Sequence, residues 1–320
     1  MDRGRWIALI ELNERTWKRC DGIASYFPEH IHAIVSKARS GTRIIDLGVH
    51  ARGGLEAGRQ LAETCLAELG YVEFTSNSGS APVVTVHTDH PILACMASQY
   101  AGWQLTGEEF FAMGSGPMRA VACKEPLFEH LGYRESAQRV VGVLETSKLP
   151  TDEICQKIAA ACNVTPDNVT LLVARTASIA GTVQVVARTV ETALHKMHEL
   201  GYDLQKVVSG WGSAPLPPVA ADDLVGIGRT NDAILYGGEV TLWVRDDDDA
   251  LAELVAKIPS SASRDYGEPF AAVFERYGRD FYKIDPLLFS PATVTLVNLA
   301  SGKSHRAGEL RPDILATSFT

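Results

Sequence analysis

Short runs of β-branched and aliphatic residues alternate along this chain with segments of helical period, and that alternation restricts it to mixed α/β architectures. TRIIDLG (42–48) reads as a strand, HARGGLEAG as a glycine-rich turn and GRQLAETCLAELG as a helix. PVVTVHT (82–88) reads as a strand, after which Asp89, His90 and Pro91 open the helix ILACMASQYAG. Thr88 or Asp89 suits its N-cap, and Pro91 its first turn. EFFAMGSGPMRAVA (109–122) is an apolar run broken by Gly-Ser-Gly-Pro that continues as a helix. RVVGVLETS and NVTLLVAR read as strands on either side of the helix TDEICQKIAAACN (151–163), capped by Thr151 or Asp152.

Beyond residue 203, WGSAPLPPVAADD predicts a proline-rich loop and DAILYGGEVTLWVRDDDD two strands hinged at Gly237-Gly238. The helices DDALAELVAKIP and PFAAVFERYG follow, then a strand pair around TVTLVNLASGKSHRAG with SGK as its turn. The acidic run Asp246–Asp249 reads as a solvated turn and N-cap, because no calcium-loop pattern follows it. A chain of 320 residues has room for two ordinary domains, and the expected division is 1–145 and 146–320.

A composition of 46% hydrophobic and 22% charged residues is that of a globular protein, and a net charge of −9 argues against a general nucleic-acid binder. The cysteines 20, 65, 95, 123, 155 and 162 form no C-x-x-C pair, so they read as reduced cytoplasmic thiols rather than a zinc or redox motif. The N-terminal MDRGRWIALIELNERTWKRC reads as an amphipathic helix and not as a signal peptide, and no apolar run is long enough to span a membrane.

TASIAGTVQVVARTVETALHKMHELGYD (176–203) combines two stripes. Val183, Val186, Val190, Ala193, Leu194 and Met197 make an apolar face; Gln184, Arg188, Glu191 and His195 recur at four, three and four as a polar one, and Gly201 marks the stop. Spacing alone favours a half-buried helix with an ordinary surface ion pair between Arg188 and Glu191. The entry through ASIAG, small and poor in charge, is unlike an exposed surface.

Other stretches carry candidate chemistry. DLGVHARGGLEAG places glycines between a strand and a helix, where backbone N–H groups can meet an anion, but it lacks the spacing of a dinucleotide or P-loop motif, and tight strand–helix packing accounts for it better. In FAMGSGPMRA, Gly114 and Gly116 flank Ser115 and Arg119 follows. Backbone donors, a hydroxyl and a cation there suit a phosphate or carboxylate, and a plain turn fits equally well. Ser115 stands one position too early for a hydrolase elbow. In VHTDHP, alternation sends His87 and Asp89 to one face and His90 elsewhere, which favours a capped helix start over a metal site. GRTNDAILYGG sets Arg229, Thr230, Asn231 and Asp232 before an apolar segment, and DYGEPFAAVFERYGRDFYKIDP mixes aromatics with charges; either lines a ring pocket or belongs to loop and core.

Taken together, GVHARGGLEAG, TDHP with AGWQ, FFAMGSGP, LLVARTASIAGTVQVVARTVET, GSAPLPPVA, IGRTNDAILYGG, SRDYGEPF and DFYKIDPLLFSPA resemble the methenyltetrahydromethanopterin cyclohydrolases, in that family's order and over most of the chain. The chain departs from archaeal members at Ala221-Asp222-Asp223-Leu224, where they often carry a longer acidic run. The resemblance implies hydrolysis of a cyclic methenyl bridge to a 5-formyl pterin without a metal or organic cofactor. It also implies two α+β domains with a substrate pocket between them, and a homotrimer. The family's catalytic Arg-x-x-Glu falls on Arg188 and Glu191, which makes the polar stripe a pocket lining. Thr88, Asp89, Gly114, Ser115, Gly116, Asn231 and Asp232 are then expected to seat the pterin or its anionic tail. A cyclohydrolase for the folate analogue and a pterin- or phosphate-binding protein without turnover are the alternatives. No nucleic-acid or membrane partner is expected.

Overall fold

The computed structural model describes residues 10–76, 81–280 and 283–320. In chain order its elements begin with helix α1 (Leu12–Tyr26), strands β1 (Ile34–Lys37) and β2 (Arg43–Gly48), helix α2 (Leu55–Cys65) and strands β3 (Tyr71–Ser76) and β4 (Pro82–Thr88). A wide-turned helix, Ile92–Gln99, follows; its hydrogen bonds close over five residues, as from Tyr100 N–H to the Cys95 carbonyl at 2.7 Å. Next come β5 (Trp103–Gly107), β6 (Phe110–Ser115), the short helices α3 (Met118–Ala122) and α4 (Leu127–Leu131), β7 (Val140–Glu145), α5 (Asp152–Ala161) and β8 (Val169–Ala174). The chain continues through α6 (Ile179–Val186), α7 (Thr189–Glu199), β9 (Val207–Pro215), α8 (Asp223–Gly237), β10 (Glu239–Val244), α9 (Asp248–Val255), α10 (Phe270–Arg276), β11 (Thr293–Asn298), β12 (Ser304–Gly308) and α11 (Pro312–Ser318).

The chain forms two compact units, each an α+β fold with one six-stranded mixed sheet. The first comprises residues up to Leu69 together with Leu93–Gln184. Its sheet runs β1-β2-β8-β7-β6-β5, with β2, β8 and β7 parallel. Every residue of β8 is buried, as expected of a central parallel strand covered on both faces. Leu171 and Val173 pack toward Ile154 and Ile158 of α5, while Leu172 and Ala174 pack toward Cys20 and Ile23 of α1 and Leu61 and Cys65 of α2.

The second unit comprises Gly70–Ile92 and Val185–Thr320. Its sheet runs β12-β11-β10-β9-β4-β3, with β10 and β11 parallel and the other pairs antiparallel. Burial alternates along β10, with Val240, Leu242 and Val244 inside and Thr241 and Trp243 half-exposed, so this sheet has one covered face. Helices α8, α10 and α11 gather into a cluster of their own around Leu235, Tyr236, Phe270, Phe274 and Ile314. The division expected at 145/146 falls inside the first unit, at the end of β7.

Three expectations change. The helix expected to run through 176–203 bends between α6 and α7: Arg188 N–H turns back to the Val185 carbonyl at 3.0 Å, and the Thr189 hydroxyl donates to the Val186 carbonyl at 2.7 Å. DAILYG is the end of α8, not a strand; its start lies at Asp222, which accepts a hydrogen bond from Val225 N–H at 3.0 Å. Gly226 and Gly228 obscured the helical period upstream. WGSAP belongs to β9 rather than to a loop, because Gly210 and Gly212, which lower strand propensity, are where α7 lies closest.

Candidate active site

The setting of α7 begins with β9. A Cβ on Gly210 would stand 2.7 Å from a Val190 methyl, and one on Gly212 would stand 3.0 Å from the other, so the two glycines let α7 lie directly on the sheet. Arg188 occupies the N-cap position of α7 and Glu191 its first turn, where the amide dipoles favour an anion. Their side chains are only 8% and 6% exposed, and Arg188 Nη1 lies 3.9 Å from Glu191 Oε2. That distance is a charge contact, longer than a hydrogen bond. Gln184 is likewise buried, and His195, one turn beyond Glu191, is mostly so. Burial lowers the pKa of His195, which favours its neutral form. The polar stripe is therefore an interior feature, although the bend divides it between two helices.

Thr88 pairs with Gly210 on the face that α7 covers, and its hydroxyl accepts the His90 N–H at 3.0 Å, as an N-cap would. Asp89 points away from it: its carboxylate accepts from the Ser209 hydroxyl at 2.7 Å on the opposite side of the sheet. His87 is exposed on that opposite side and stacks on Tyr71.

Gly114, Ser115 and Gly116 are buried in the first unit. The Ser115 hydroxyl lies 3.2 Å from the Cys65 thiol and 3.4 Å from the Val143 carbonyl, and Gly116 N–H donates to the Ser98 carbonyl at 2.8 Å. Arg119, fully buried, pairs with Glu125 and donates to the Met96 carbonyl at 2.9 Å. The cation that made this turn resemble an anion site is thus neutralised from within.

The glycine-rich turn after β2 has a similar internal answer. One carboxylate, Asp46, accepts backbone N–H groups of Gly48, Val49, His50 and Ala51 at 2.7–3.0 Å. Gly53 closes the turn at φ +59°, where a Cβ would run into the Leu47 carbonyl. Packing, not anion binding, explains the motif.

Asn231 and Asp232 lie on α8. Asn231 donates to the Ile227 carbonyl at 2.8 Å. Asp232, fully buried, accepts from Phe270 N–H at 2.8 Å and from the Ser318 hydroxyl at 2.6 Å, tying α8 to α10 and α11. Burial raises its pKa to about 7. SRDYGEPF and KIDP meet in a network too: Asp265 accepts from the Tyr277 hydroxyl at 2.9 Å and from Asp285 N–H at 2.9 Å. Phe281 and Tyr282 of the same aromatic stretch lie outside the described residues.

Of the expected site residues, then, Arg188 and Glu191 adjoin each other and Thr88 shares their side of the sheet. Sequence reasoning missed the glycines of β9, which position the pair, and Lys196, a fully buried lysine of α7 that donates to the Leu287 carbonyl. Burial lowers the pKa of Lys196 to about 8. The signal for Lys196 was its place in the helical period after Thr189 and Ala193, both buried. Among the described residues no three His, Cys, Asp or Glu side chains converge as a metal set. Nor is any helix long and apolar enough to cross a membrane.

Residues 11–319 match the family model described as Cyclohydrolase (MCH). The chain is 51% identical over 292 residues to the methenyltetrahydromethanopterin cyclohydrolase of Methylobacillus flagellatus, covering 90% of this chain and 89% of that protein. It is 48% identical over 288 residues to the enzyme of the same name from Rhodopirellula baltica, covering 88% and 86%. To that of Methanococcoides burtonii it is 44% identical over 317 residues, covering 97% and 98%.

Proposed function

The chain belongs to the methenyltetrahydromethanopterin cyclohydrolase family, and from that premise we propose that it hydrolyses 5,10-methenyltetrahydromethanopterin to the 5-formyl pterin, with Glu191 as the catalytic base and Arg188 as its partner. The observation that carries the reading is the buried Arg188–Glu191 pair at the start of a helix pressed onto the sheet. Burying two charges is costly, and sites tolerate that cost where chemistry uses it.

The methenyl carbon of the substrate is an amidinium-like cation, electrophilic without a Lewis acid, so no metal or organic cofactor is required in this reading. What the reaction needs is a placed water and a proton acceptor. Glu191 accepts a proton as the water oxygen bonds to that carbon, giving a neutral carbinol. The proton then passes to the departing ring nitrogen as its bond to the carbon breaks. The carbinol hydroxyl proton leaves to solvent, and the formyl group stays on the other nitrogen. Arg188 aligns the carboxylate, and its charge opposes the cationic ground state.

Seating of the pterin by Thr88, which lies on the side of the sheet that carries Arg188 and Glu191, is the second part of the proposal; an unchanged KM in Thr88→Val counts against it. The third part is a cytoplasmic homotrimer: six cysteines that form no disulfide are in keeping with the compartment, and the trimer follows from the family resemblance alone.

The test of the reaction is loss of the methenyl chromophore with the methanopterin substrate and, separately, with the folate analogue. Acceleration with the first only is expected. Preference for the folate analogue would replace the substrate assignment, and no acceleration with either would remove the activity.

A further inference from the structure

Each turnover of the proposed reaction leaves one proton over, because a cation and a water become a neutral formyl product. One water proton ends on the ring nitrogen, and the carbinol hydroxyl proton has to reach solvent. Glu191, the group that receives protons in this reading, has a side chain only 6% exposed. It has little direct contact with bulk water, so its resetting calls for a route outward.

Helix α7 contains one. Glu191, His195 and Glu199 follow each other at i, i+4 and i+8, all within Thr189–Glu199, whereas the bend leaves Gln184 on α6. Residues four apart on a helix are neighbours, with Cβ atoms about 5–6 Å apart. Helical side chains lean toward the N-terminus, which lays His195 over the turn that carries Glu191 and brings Glu199 back toward His195. His195 Nε2 lies 3.6 Å from Glu199 Oε1, a small side-chain rotation from a hydrogen bond. Exposure rises along the line, from Glu191 to 17% at His195 and 38% at Glu199, the last residue of the helix. The three side chains thus lead from the interior to solvent.

Imidazole suits the middle position, since one ring nitrogen can accept a proton while the other gives one up. Burial favours the neutral ring, which is the form able to accept; His198 and Lys196 act in the same direction, and Glu199 opposes them by favouring the protonated ring.

We propose that His195 is a proton carrier, passing to Glu199 and solvent the proton that Glu191 must shed in each turnover. Glu191 first gives its proton to the ring nitrogen as the carbon–nitrogen bond breaks, and so becomes a carboxylate again. It then takes the carbinol hydroxyl proton as the formyl carbonyl forms. That proton moves to one nitrogen of His195, and the imidazolium loses a proton from the other to Glu199 or to water. Glu191 ends as the carboxylate and His195 as the neutral ring. The inference rests on the reaction proposed above and adds the route of its second proton.

Chromophore loss in weakly buffered solution, without and with added imidazole at one pH and ionic strength, tests it. The wild type is expected to turn over equally fast in both. His195→Ala should keep its KM and lose at least about 10-fold in kcat in weak buffer, less than the 100-fold or more expected for loss of the base itself. Imidazole should restore its rate in proportion to concentration. Far-UV circular dichroism checks folding, and His195→Asn carries the same expectations should His195→Ala fail to fold. An inactive wild type overturns the reaction and the carrier together. With an active wild type, a folded His195 variant overturns the carrier alone, leaving the role of Glu191 standing, if it keeps its rate, loses it through KM only, or stays slow in imidazole.

Discussion

Replacing Gly210 by alanine tests how firmly β9 holds the helix that carries Arg188 and Glu191. The new Cβ would lie 2.7 Å from Val190 Cγ1 and 3.2 Å from Leu242 Cδ2. Ordinary carbon contacts begin at about 3.5 Å, so Val190 must retreat by roughly 0.8 Å. A valine in a helix is confined to essentially one rotamer, so the retreat is taken by the backbone of α7. Val190 stands between Arg188 and Glu191, and both move with it. If they act as proposed, a displacement near 1 Å costs on the order of 100-fold in rate. Overpacking costs about 1–3 kcal/mol, offset in part by about 0.4–1 kcal/mol from a stiffer unfolded chain. The expectation is a folded enzyme destabilised by about 1–2 kcal/mol whose kcat/KM falls about 100-fold, read by urea unfolding and by chromophore loss. Gly212→Ala meets its nearest atom at 3.0 Å and should lose less. Pairing Gly210→Ala with Val190→Ala should recover part of the rate. A fully active Gly210→Ala enzyme, or a double variant slower than both singles, would refute this account of how α7 is positioned.

Three further changes probe the rest. Asp46→Ala strands four backbone N–H groups that now share one carboxylate and should cost about 4 kcal/mol in urea unfolding; a loss under 1 kcal/mol contradicts the cradle. The pKa of Asp232 is raised by burial to about 7, so the stability it contributes is complete below its ordinary 3.8 and is lost as pH rises through about 7. Asp232→Asn should remove that decline from the stability–pH curve, and an unchanged curve speaks against it. The pKa of Lys196 is lowered by burial to about 8 from 10.5, so the unfolded chain holds more protons between these values and the wild type gains stability as pH rises from about 8 to 10.5. Lys196→Met, similar in shape and uncharged, should fold with a change under about 1.5 kcal/mol and lack that rise; retention of the rise would place its cause elsewhere.

Most elements were legible because local pattern and tertiary role agree in them. Strand β8 is an unbroken aliphatic run and lies at the centre of a parallel sheet, and Thr151 caps α5 through Ile154 N–H as its sequence suggests. Where the two diverge, tertiary contact decided. Gly210 and Gly212 weaken a strand that exists because a helix needs their missing side chains. Gly226 and Gly228 mask a helix whose apolar face is held by Phe270 and Ile314, far away in sequence. In the candidate site the Arg-x-x-Glu spacing was visible, but its burial was not, since a spacing describes a stripe without saying what covers it. The Ser115 turn shows the converse: its residue types suit an anion, while Glu125 already answers the arginine beside them.

The central claim is that Glu191 moves the proton. Chromophore loss should be followed with Glu191→Gln beside the wild type, at matched fold and saturating methanopterin substrate. The carboxamide keeps the shape and cannot accept the proton, so kcat should fall by about 100- to 10,000-fold while KM changes little. A Glu191→Gln enzyme turning over at the wild-type rate would show that another group takes the proton and that the buried pair serves only the fold.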